Sequence, residues 1–324
     1  MKDRLVVSTQ FHPSRWVCLI ALMIGISASC AIRLSAEESP KLEFDGDRAY
    51  QHLVDICKIG ARISGSPGMT RQQKMIVDHF EKLGATVTYQ SFDVAHPLTG
   101  NPVRMNNLIV SWDPKAEQRI LLCCHYDTRP FPDRDRFNPR GIFYGANDGA
   151  SGVALFMEMG ESIKKLKIPY GYGVDMVFFD GEELVYRQGD DYFLGSKYFS
   201  SDYKNNPPKH KYVYGVLVDM IAGRNLKLYY EINSLKHAPE VTKSVWAAAE
   251  ELKEKAFISK PKHEVLDDHL PLNEIAKIPT CDLIDFDYPH WHTQGDVPRN
   301  CSGASLERVG RVLLYWLQNP LKVE

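Results

Sequence analysis

Several segments of the sequence place carboxylate or histidine side chains directly after apolar runs. The segment M-V-F-F-D-G-E-E-L-V at 176–185 ends such a run with three carboxylates and sets Glu182 beside Glu183. Two like charges at the end of a buried run repel each other and lose hydration, and both effects raise a carboxylate pKa. A solvated turn is one interpretation of the pair. The other interpretation is that one of the two glutamates binds a cation, which would offset both the repulsion and the loss of hydration.

Comparable residues recur in several separate segments of the chain. Zinc binds histidine nitrogen and carboxylate oxygen, and a catalytic zinc site keeps one position open for water or substrate. Asp148 lies among small residues, where the backbone can approach an ion closely, and the sequence contains no H-E-x-x-H helix. The segments concerned are H-Y-D at 125–127, G-A-N-D-G-A-S-G at 145–152, Asp219, D-D-H at 267–269 and D-Y-P-H-W-H-T at 287–293.

The apolar runs that precede these residues predict an α/β fold. Near-continuous apolar character is typical of strands that are covered on both faces. We therefore expect a single globular domain with a central mixed, mostly parallel β-sheet and helices on both faces. Ligands bind outside the carboxyl ends of strands in such sheets, so the polar residues should share one rim. The predicted strands are 119–124, 174–179, 212–218 and 279–284, and the predicted helices are 47–60, 70–83, 152–166, 241–256 and 306–317.

The first 36 residues predict an export signal or a membrane anchor. Basic residues precede the uncharged, mostly apolar stretch 16–32, and small residues accompany its end, which is the order found in export signals. The stretch is short for a spanning helix, so an uncleaved anchor and a lipidated Cys30 remain alternatives. We expect residues 37–324 to form one catalytic domain that is periplasmic or secreted and that contacts a membrane only through residues 16–32.

Composition narrows the possible partners. The net charge of the 324 residues is −2 with no long run of one sign, so nucleic acid is not an expected partner. Five cysteines follow residue 36, an odd number without C-x-x-C spacing, which argues against a disulfide framework or a cysteine zinc site. Buried thiols are expected, and a single disulfide remains an alternative.

The ordered motifs resemble the zinc aminopeptidase superfamily over roughly residues 45–320. The motifs are H-Y-D at 125–127, N-D-G at 147–149, D-G-E-E at 180–183, V-D-M at 218–220 and W-H-T at 291–293. The resemblance implies that Asp148, Glu183 and His292 bind zinc and that Glu182 is the acid/base group. Two branches compete within it. One comprises two-zinc aminopeptidases, and the other comprises single-zinc glutaminyl-peptide cyclotransferases, which close an N-terminal glutamine to pyroglutamate.

Three features favour the cyclotransferase branch. D-D-H at 267–269 replaces the aminopeptidase S-D-H, the segment 182–196 is longer than in aminopeptidases, and Trp291 precedes the histidine of W-H-T. This branch implies that Asp267 and Asp219 are catalytic hydrogen-bonding residues and that Trp291 and Tyr288 line a dry substrate pocket. It also implies one zinc ion per chain, ammonia release, and peptide or protein N-termini as substrates.

Other features fit the cyclotransferase branch less well. G-A-N-D-G-A-S-G is closer to aminopeptidases, Arg187 or Gln188 stands where cyclases place a pocket tryptophan, and Asp282 stands where they have a histidine. In the aminopeptidase alternative, Glu182 activates water, and His125 and Asp219 hold a second zinc that Asp148 bridges. A third class, a catalytically silent metal-binding module, is disfavoured because Glu182 is intact.

The remaining polar residues have structural interpretations. In the single-zinc interpretation His125 supports the site through hydrogen bonds, and Asp127 orients a neighbour. Asp180 is expected to be a turn residue, and Asp190–Asp191 to face solvent. The segment 129–140 is expected to be a solvated loop that could rim the pocket.

Overall fold

The strands that precede the motif residues lie side by side. The computed structural model describes residues 44–323, and these form one compact unit. Its strands are β1 Thr86–Ala95, β2 Pro102–Ser111, β3 Gln118–His125, β4 Gly173–Phe179, β5 Lys211–Asp219, β6 Leu228–Tyr230, β7 Phe257–Pro261 and β8 Thr280–Ile284. Its helices are α1 Gly46–Lys58, α2 Pro67–Lys82, α3 Ser151–Ile163, α4 Leu194–Asn205, α5 Ile232–His237, α6 Pro239–Glu251, α7 His269–Pro271 and α8 Gly303–Gln318.

The central sheet has six strands in the order β1-β2-β4-β3-β5-β8. β4, β3, β5 and β8 are parallel neighbours, whereas β1 pairs antiparallel with β2 and β2 pairs antiparallel with β4. A second, two-stranded sheet joins β6 to β7. The prediction of a mixed, mostly parallel α/β sheet is therefore confirmed, and all four predicted strands are present with ends within two residues of those expected.

Both faces of the sheet are covered, as the continuous apolar runs predicted. Alternate residues of β3 enter different clusters: Leu122 packs with residues of α1, α2, α3, α6 and α8, while Leu121 packs with Phe199 of α4 and Leu272. The five cysteines of the described part of the chain are buried and unpaired, which confirms the expectation of buried thiols.

The sequence did not predict the antiparallel pair β1 and β2. β1 is largely exposed, and its apolar residues do not form a continuous run, so the signal that identified the central strands is absent. The segment predicted as an export signal or anchor lies outside the described residues. Within residues 44–323, no helix combines the length and apolar character needed to cross a membrane.

Candidate active site

The motif residues meet at the carboxyl edge of the parallel strands. His125 ends β3, Asp219 ends β5, and the D-G-E-E turn follows β4. Because these strands are parallel neighbours, their ends bring the three segments to the same rim, where open α/β sheets bind ligands. Asp148 precedes α3, and His292 follows β8 through a short loop. Both join the same rim.

Asp148, Glu183 and His292 form a buried cluster that suits a metal ion. Their ligand atoms all lie within 4.8 Å of one another. His292 Nε2 is 2.8 Å from Glu183 Oε1 and 3.6 Å from Asp148 Oδ2. Asp148 Oδ2 is buried without a hydrogen-bond partner among the described residues, which is costly unless a cation or a donor faces it. One nitrogen and two carboxylate oxygens match the donor set of a catalytic zinc site.

A second cluster shares Asp148 with the first. His125 Nε2 lies 3.1 Å from Asp219 Oδ1 and 3.3 Å from Asp148 Oδ1, and these ligand atoms also fall within 4.8 Å of one another. The same contacts serve a histidine that supports the first cluster by hydrogen bonding. The protein geometry therefore accommodates both the single-zinc and the two-zinc arrangement.

Asp127 holds the two adjacent glutamates in place. Its Oδ1 accepts the backbone N–H of Glu182 at 3.1 Å and its Oδ2 accepts that of Glu183 at 3.0 Å. Gly181 permits the turn, since it has φ +72° and a Cβ there would lie 2.6 Å from Met105 Sδ. Asp127 therefore contacts the backbone of both residues, as expected of an orienting group.

The two glutamates differ in pKa because their neighbours differ. Burial raises the pKa of Glu182 well above its ordinary value, and the charge of Glu183 adds to the rise. Burial acts in the same direction on Glu183, but His292 and Arg129 outweigh it and lower the Glu183 pKa to about 2. Neighbouring carboxyls whose pKa values are pushed apart commonly divide acid/base and ligand roles.

Asp296 positions the loop that carries Asp148, and the sequence analysis did not identify it. It is fully buried, and its Oδ1 accepts the backbone N–H of Asn147 at 2.8 Å while its Oδ2 accepts that of Asp148 at 3.1 Å. Tyr288 donates its hydroxyl to Oδ1 at 3.0 Å. Burial and the charge of Asp148 raise the Asp296 pKa to about 7, against the opposing effect of these donors. No sequence motif identifies Asp296, because it lies 148 positions from Asp148 and no local pattern connects the two residues.

Arg129 and Asp133 connect two members of the metal cluster. Arg129 is buried although it begins the segment predicted to be a solvated loop. It donates from Nη1 to Glu183 Oε1 at 2.9 Å and from Nε to Asp133 Oδ1 at 2.8 Å. Asp133 Oδ1 lies 3.3 Å from His292 Nδ1. The segment 129–140 has the mixed Arg, Asp and Pro composition of a surface loop, so the sequence did not distinguish Arg129 and Asp133 from solvent-exposed residues.

Asp267 lies in the pocket beside the acid/base candidate. It is buried, its Oδ1 accepts the backbone N–H of Asp268 at 2.6 Å, and its Oδ2 has no hydrogen-bond partner among the described residues. Burial raises the pKa of Asp267, with the charges of Asp219 and Asp268 adding to the rise. A carboxyl group with an unused oxygen in this position can hydrogen-bond a substrate amine or amide.

Glu231 ties the D-D-H segment to the fold. Its Oε1 accepts the backbone N–H of Val265 at 3.0 Å and of Asn233 at 2.8 Å, and its Oε2 lies 3.3 Å from His269 Nε2. Asp282 is fully buried behind the pocket, with Oδ2 3.8 Å from His269 Nδ1. Asp282 thus joins a buried polar cluster and does not line the pocket.

The pocket above these residues has a volume of about 460 Å³. Glu182, Asp219 and Asp267 line it together with the metal cluster. Its apolar lining is formed by Trp291, Phe286, Ile284, Val265, Leu266, Met220, Tyr192 and Phe193.

Tyr288 was predicted to line this pocket, and the structure corrects that prediction. Tyr288 is buried beneath the site, where its hydroxyl contacts Asp296. The Tyr288 side chain therefore supports the loop that carries Asp148, through Asp296, and does not line the substrate pocket. Arg187 and Gln188 lie outside the pocket as well. Tyr192 and Phe193 line the pocket farther along that segment.

Two structural expectations were only partly right. Asp180 lies in the turn after β4, as expected, but it is fully buried, accepts hydrogen bonds from Ser64 Oγ and the Asn106 backbone N–H, and has a pKa raised to about 7 by burial and the charge of Asp127. Of the pair expected in solvent, Asp191 is exposed, whereas the Asp190 side chain is only 7% exposed and accepts two backbone N–H groups.

Comparison with known proteins places this geometry in a family. The sequence model of peptidase family M28 matches residues 107–317, which is more than half of the chain. A solved glutaminyl cyclase from Fimbriiglobus ruber is 40% identical, with a TM-score of 0.83 over 86% of this chain and 97% of its own. A leucine aminopeptidase precursor from Bacteroides thetaiotaomicron is 31% identical, with a TM-score of 0.80 over 86% and 99%.

A more distant relative carries the cyclotransferase name. Glutaminyl-peptide cyclotransferase of Gloydius blomhoffii is 24% identical over 323 residues, covering 89% of this chain and 83% of its own. Together these matches confirm the resemblance found in the motifs. The chain therefore belongs to peptidase family M28, within the zinc aminopeptidase-like superfamily, and is similar to bacterial glutaminyl cyclases.

Proposed function

We propose that this protein is a zinc-dependent glutaminyl-peptide cyclotransferase that converts an N-terminal glutamine of peptides or proteins to pyroglutamate and releases ammonia. The observation that carries the proposal is Asp267, a buried carboxyl with an unused oxygen that lines the same pocket as Glu182. The similarity to the Fimbriiglobus ruber glutaminyl cyclase supports it. Hydrolysis by metal-activated water requires one acid/base carboxylate, whereas a second carboxyl suits an enzyme that must hold the substrate's own amine for attack.

Each part of the pocket has a task in this reaction. Asp148, Glu183 and His292 would hold the zinc ion, which, when bound, polarises the γ-carboxamide carbonyl of the glutamine. The α-amine attacks the carbonyl carbon of this carboxamide, Cδ, so an N–Cδ bond closes the five-membered ring and the bond from Cδ to the amide nitrogen breaks. Glu182 accepts the proton that the amine loses and returns a proton to the departing ammonia.

Asp267 and Asp219 hold the substrate during this transfer. Burial and the charge of Asp219 raise the pKa of Asp267, which favours the protonated form that can donate a hydrogen bond to the substrate. Trp291 and Phe286 supply apolar walls, with ring centroids 4.7 Å apart, that limit water around the reacting atoms. Restricting water favours attack by the amine over hydrolysis.

Mass spectrometry tests the proposal. The purified protein is incubated with a peptide that begins with Gln and with a matched peptide that begins with Leu. Loss of ammonia from the Gln peptide, with the Leu peptide unchanged, is the expected result. Asp267→Ala should abolish most of this turnover while zinc content is retained, and Asp191→Asn at an exposed position is the matched control. Turnover by Asp267→Ala at the rate of the unmodified protein would contradict the assignment.

A two-zinc aminopeptidase is the second candidate. The cluster of His125, Asp148 and Asp219 favours it, since it offers a complete second set of ligand atoms. In that case Glu182 activates water, and the same experiment would release a whole N-terminal residue.

We further propose that residues 1–36 direct export to the periplasm or the outside of the cell. Mass measurement of the mature N-terminus from a fractionated cell tests this proposal, and an intact N-terminus in the cytoplasm would contradict it.

A further inference from the structure

The loop at the pocket mouth, residues 129–140, here called the rim loop, carries charges of both signs. Its two acidic residues are engaged within the protein. Asp133 contacts Arg129 and His292, and Asp135 accepts the backbone N–H groups of Phe137, Asn138 and Gln294. Both carboxylates of the rim loop are therefore held by hydrogen bonds within the protein, and neither is paired with Arg134.

Arg134 provides a cation of this loop at the pocket. Its guanidinium carbon lies 3.9 Å from the centroid of the Trp291 ring, and both side chains line the pocket. Its backbone N–H donates to the His292 carbonyl at 3.1 Å, which fixes the start of the side chain. Across residues 44–323, no carboxylate oxygen lies within 4.0 Å of its guanidinium and no side-chain hydrogen bond engages it.

This arrangement leaves the donors of Arg134 free in a fixed place. Stacking on an indole face orients the guanidinium plane and leaves its edge accessible. The guanidinium has five N–H donors around that edge, and two parallel ones can bind the two oxygens of a carboxylate. The Trp291 ring in turn lies 4.2 Å from the His292 ring, measured between centroids. The free donors thus lie close to where a substrate bound at the metal cluster must leave the pocket.

We propose that Arg134 is a specificity-determining residue that selects peptides with an acidic side chain at the second or third position. This inference rests on the proposed function for the identity of the first residue, because the N-terminal glutamine occupies the pocket and the following residues pass its mouth. Glu264, an exposed residue that also lines the pocket, disfavours an acidic side chain on its own side. The preference for acidic peptides therefore depends on the side of the pocket mouth where Arg134 lies. Removing the charge of Glu264 should increase this preference.

A peptide series measures this preference. Gln-Glu-Ala, Gln-Ala-Glu, Gln-Lys-Ala and Gln-Ala-Lys peptides of equal length are compared by kcat/KM in the full-length protein. We expect the better acidic peptide to exceed its lysine counterpart by about fivefold, the upper end for an Arg–carboxylate pair at an exposed site. In Arg134→Met, which keeps the length and apolar contact of the side chain, the ratio should approach one. Arg136→Met changes a cation of the same loop that does not line the pocket, and it should keep the ratio.

A binding measurement separates this inference from the proposed function. Isothermal titration calorimetry with Glu182→Gln gives the Kd of each peptide without turnover. Tighter binding of the acidic peptides that is lost in Glu182→Gln/Arg134→Met supports the role of Arg134 even if no peptide is cyclised, which would refute only the proposed function. Cyclisation at equal rates for acidic and basic peptides would overturn the role of Arg134 and leave the proposed function intact. Failure to bind or convert any of the peptides would overturn both.

Discussion

Replacing Asp296 with asparagine should weaken the metal site without touching a metal ligand. The Asp296 carboxylate accepts the backbone N–H groups of Asn147 and Asp148 on different oxygens. Asparagine keeps one acceptor oxygen and turns an NH₂ group toward the other N–H, so at least one buried donor loses its partner. An unsatisfied buried donor costs about 1–3 kcal/mol. We therefore expect Asp296→Asn to lower the free energy of unfolding by that amount.

The metal affinity should fall in the same variant. Partners that orient metal ligands typically change affinity by about 10- to 100-fold when they are replaced. Tyr288→Phe is the matched control, because it removes the hydroxyl that donates to Asp296 Oδ1 and leaves both backbone bonds in place. The control should lose about 1 kcal/mol of stability and almost no zinc affinity.

Two assays check this prediction. Urea unfolding of the metal-free proteins gives the change in stability, and competition with a chromophoric chelator gives the zinc affinity. Zinc affinity in Asp296→Asn equal to that of the unmodified protein would refute the argument that Asp296 positions Asp148. An equal loss of affinity in Tyr288→Phe would show that the hydroxyl rather than the backbone contacts controls the loop.

Three further predictions follow from the site. Glu182→Gln should retain zinc, measured by elemental analysis, and lose turnover by at least about 100-fold, because proton transfer needs an ionisable group there; near-normal turnover would remove Glu182 from the mechanism. Dialysis against a chelator should abolish activity, and titrated zinc should restore it at about one ion per chain if the single-zinc proposal holds, whereas two required ions would favour the aminopeptidase. Burial acts to raise the Glu231 pKa, but the His269 ring, with Nε2 3.3 Å from Glu231 Oε2, and hydrogen bonds from backbone N–H groups lower it to about 2. That carboxylate stabilises the fold above the unfolded pKa of about 4.5 by about 3 kcal/mol. Glu231→Gln should therefore be less stable at pH 7, and its difference from the unmodified protein in urea unfolding should shrink as the pH falls from about 5 toward about 2. A difference that does not change over this window would contradict the charge argument.

The central strands and the metal cluster are the parts that the sequence analysis recovered. Continuous apolar runs identify strands that are buried on both faces, and parallel strands bring the residues after them to one edge. The ends of the strands that became β3, β4 and β5 therefore predict that His125, Glu182 and Asp219 lie together. The half-exposed β1 lacks such a run, so the antiparallel edge of the sheet was missed.

The sequence by itself determined which residue types could bind a metal and, through strand order and motif resemblance, which of them would share a rim. Only the tertiary structure decided how they are held: Asp296 behind Asp148, Arg129 behind Glu183, and Glu231 behind the D-D-H segment. It also moved Tyr288 from the pocket wall to a supporting position and placed Arg134 on Trp291. The physical reason is that strand and helix periodicity report only local burial. A hydrogen bond between residues far apart in the chain depends on the path of the loops, which no local pattern specifies.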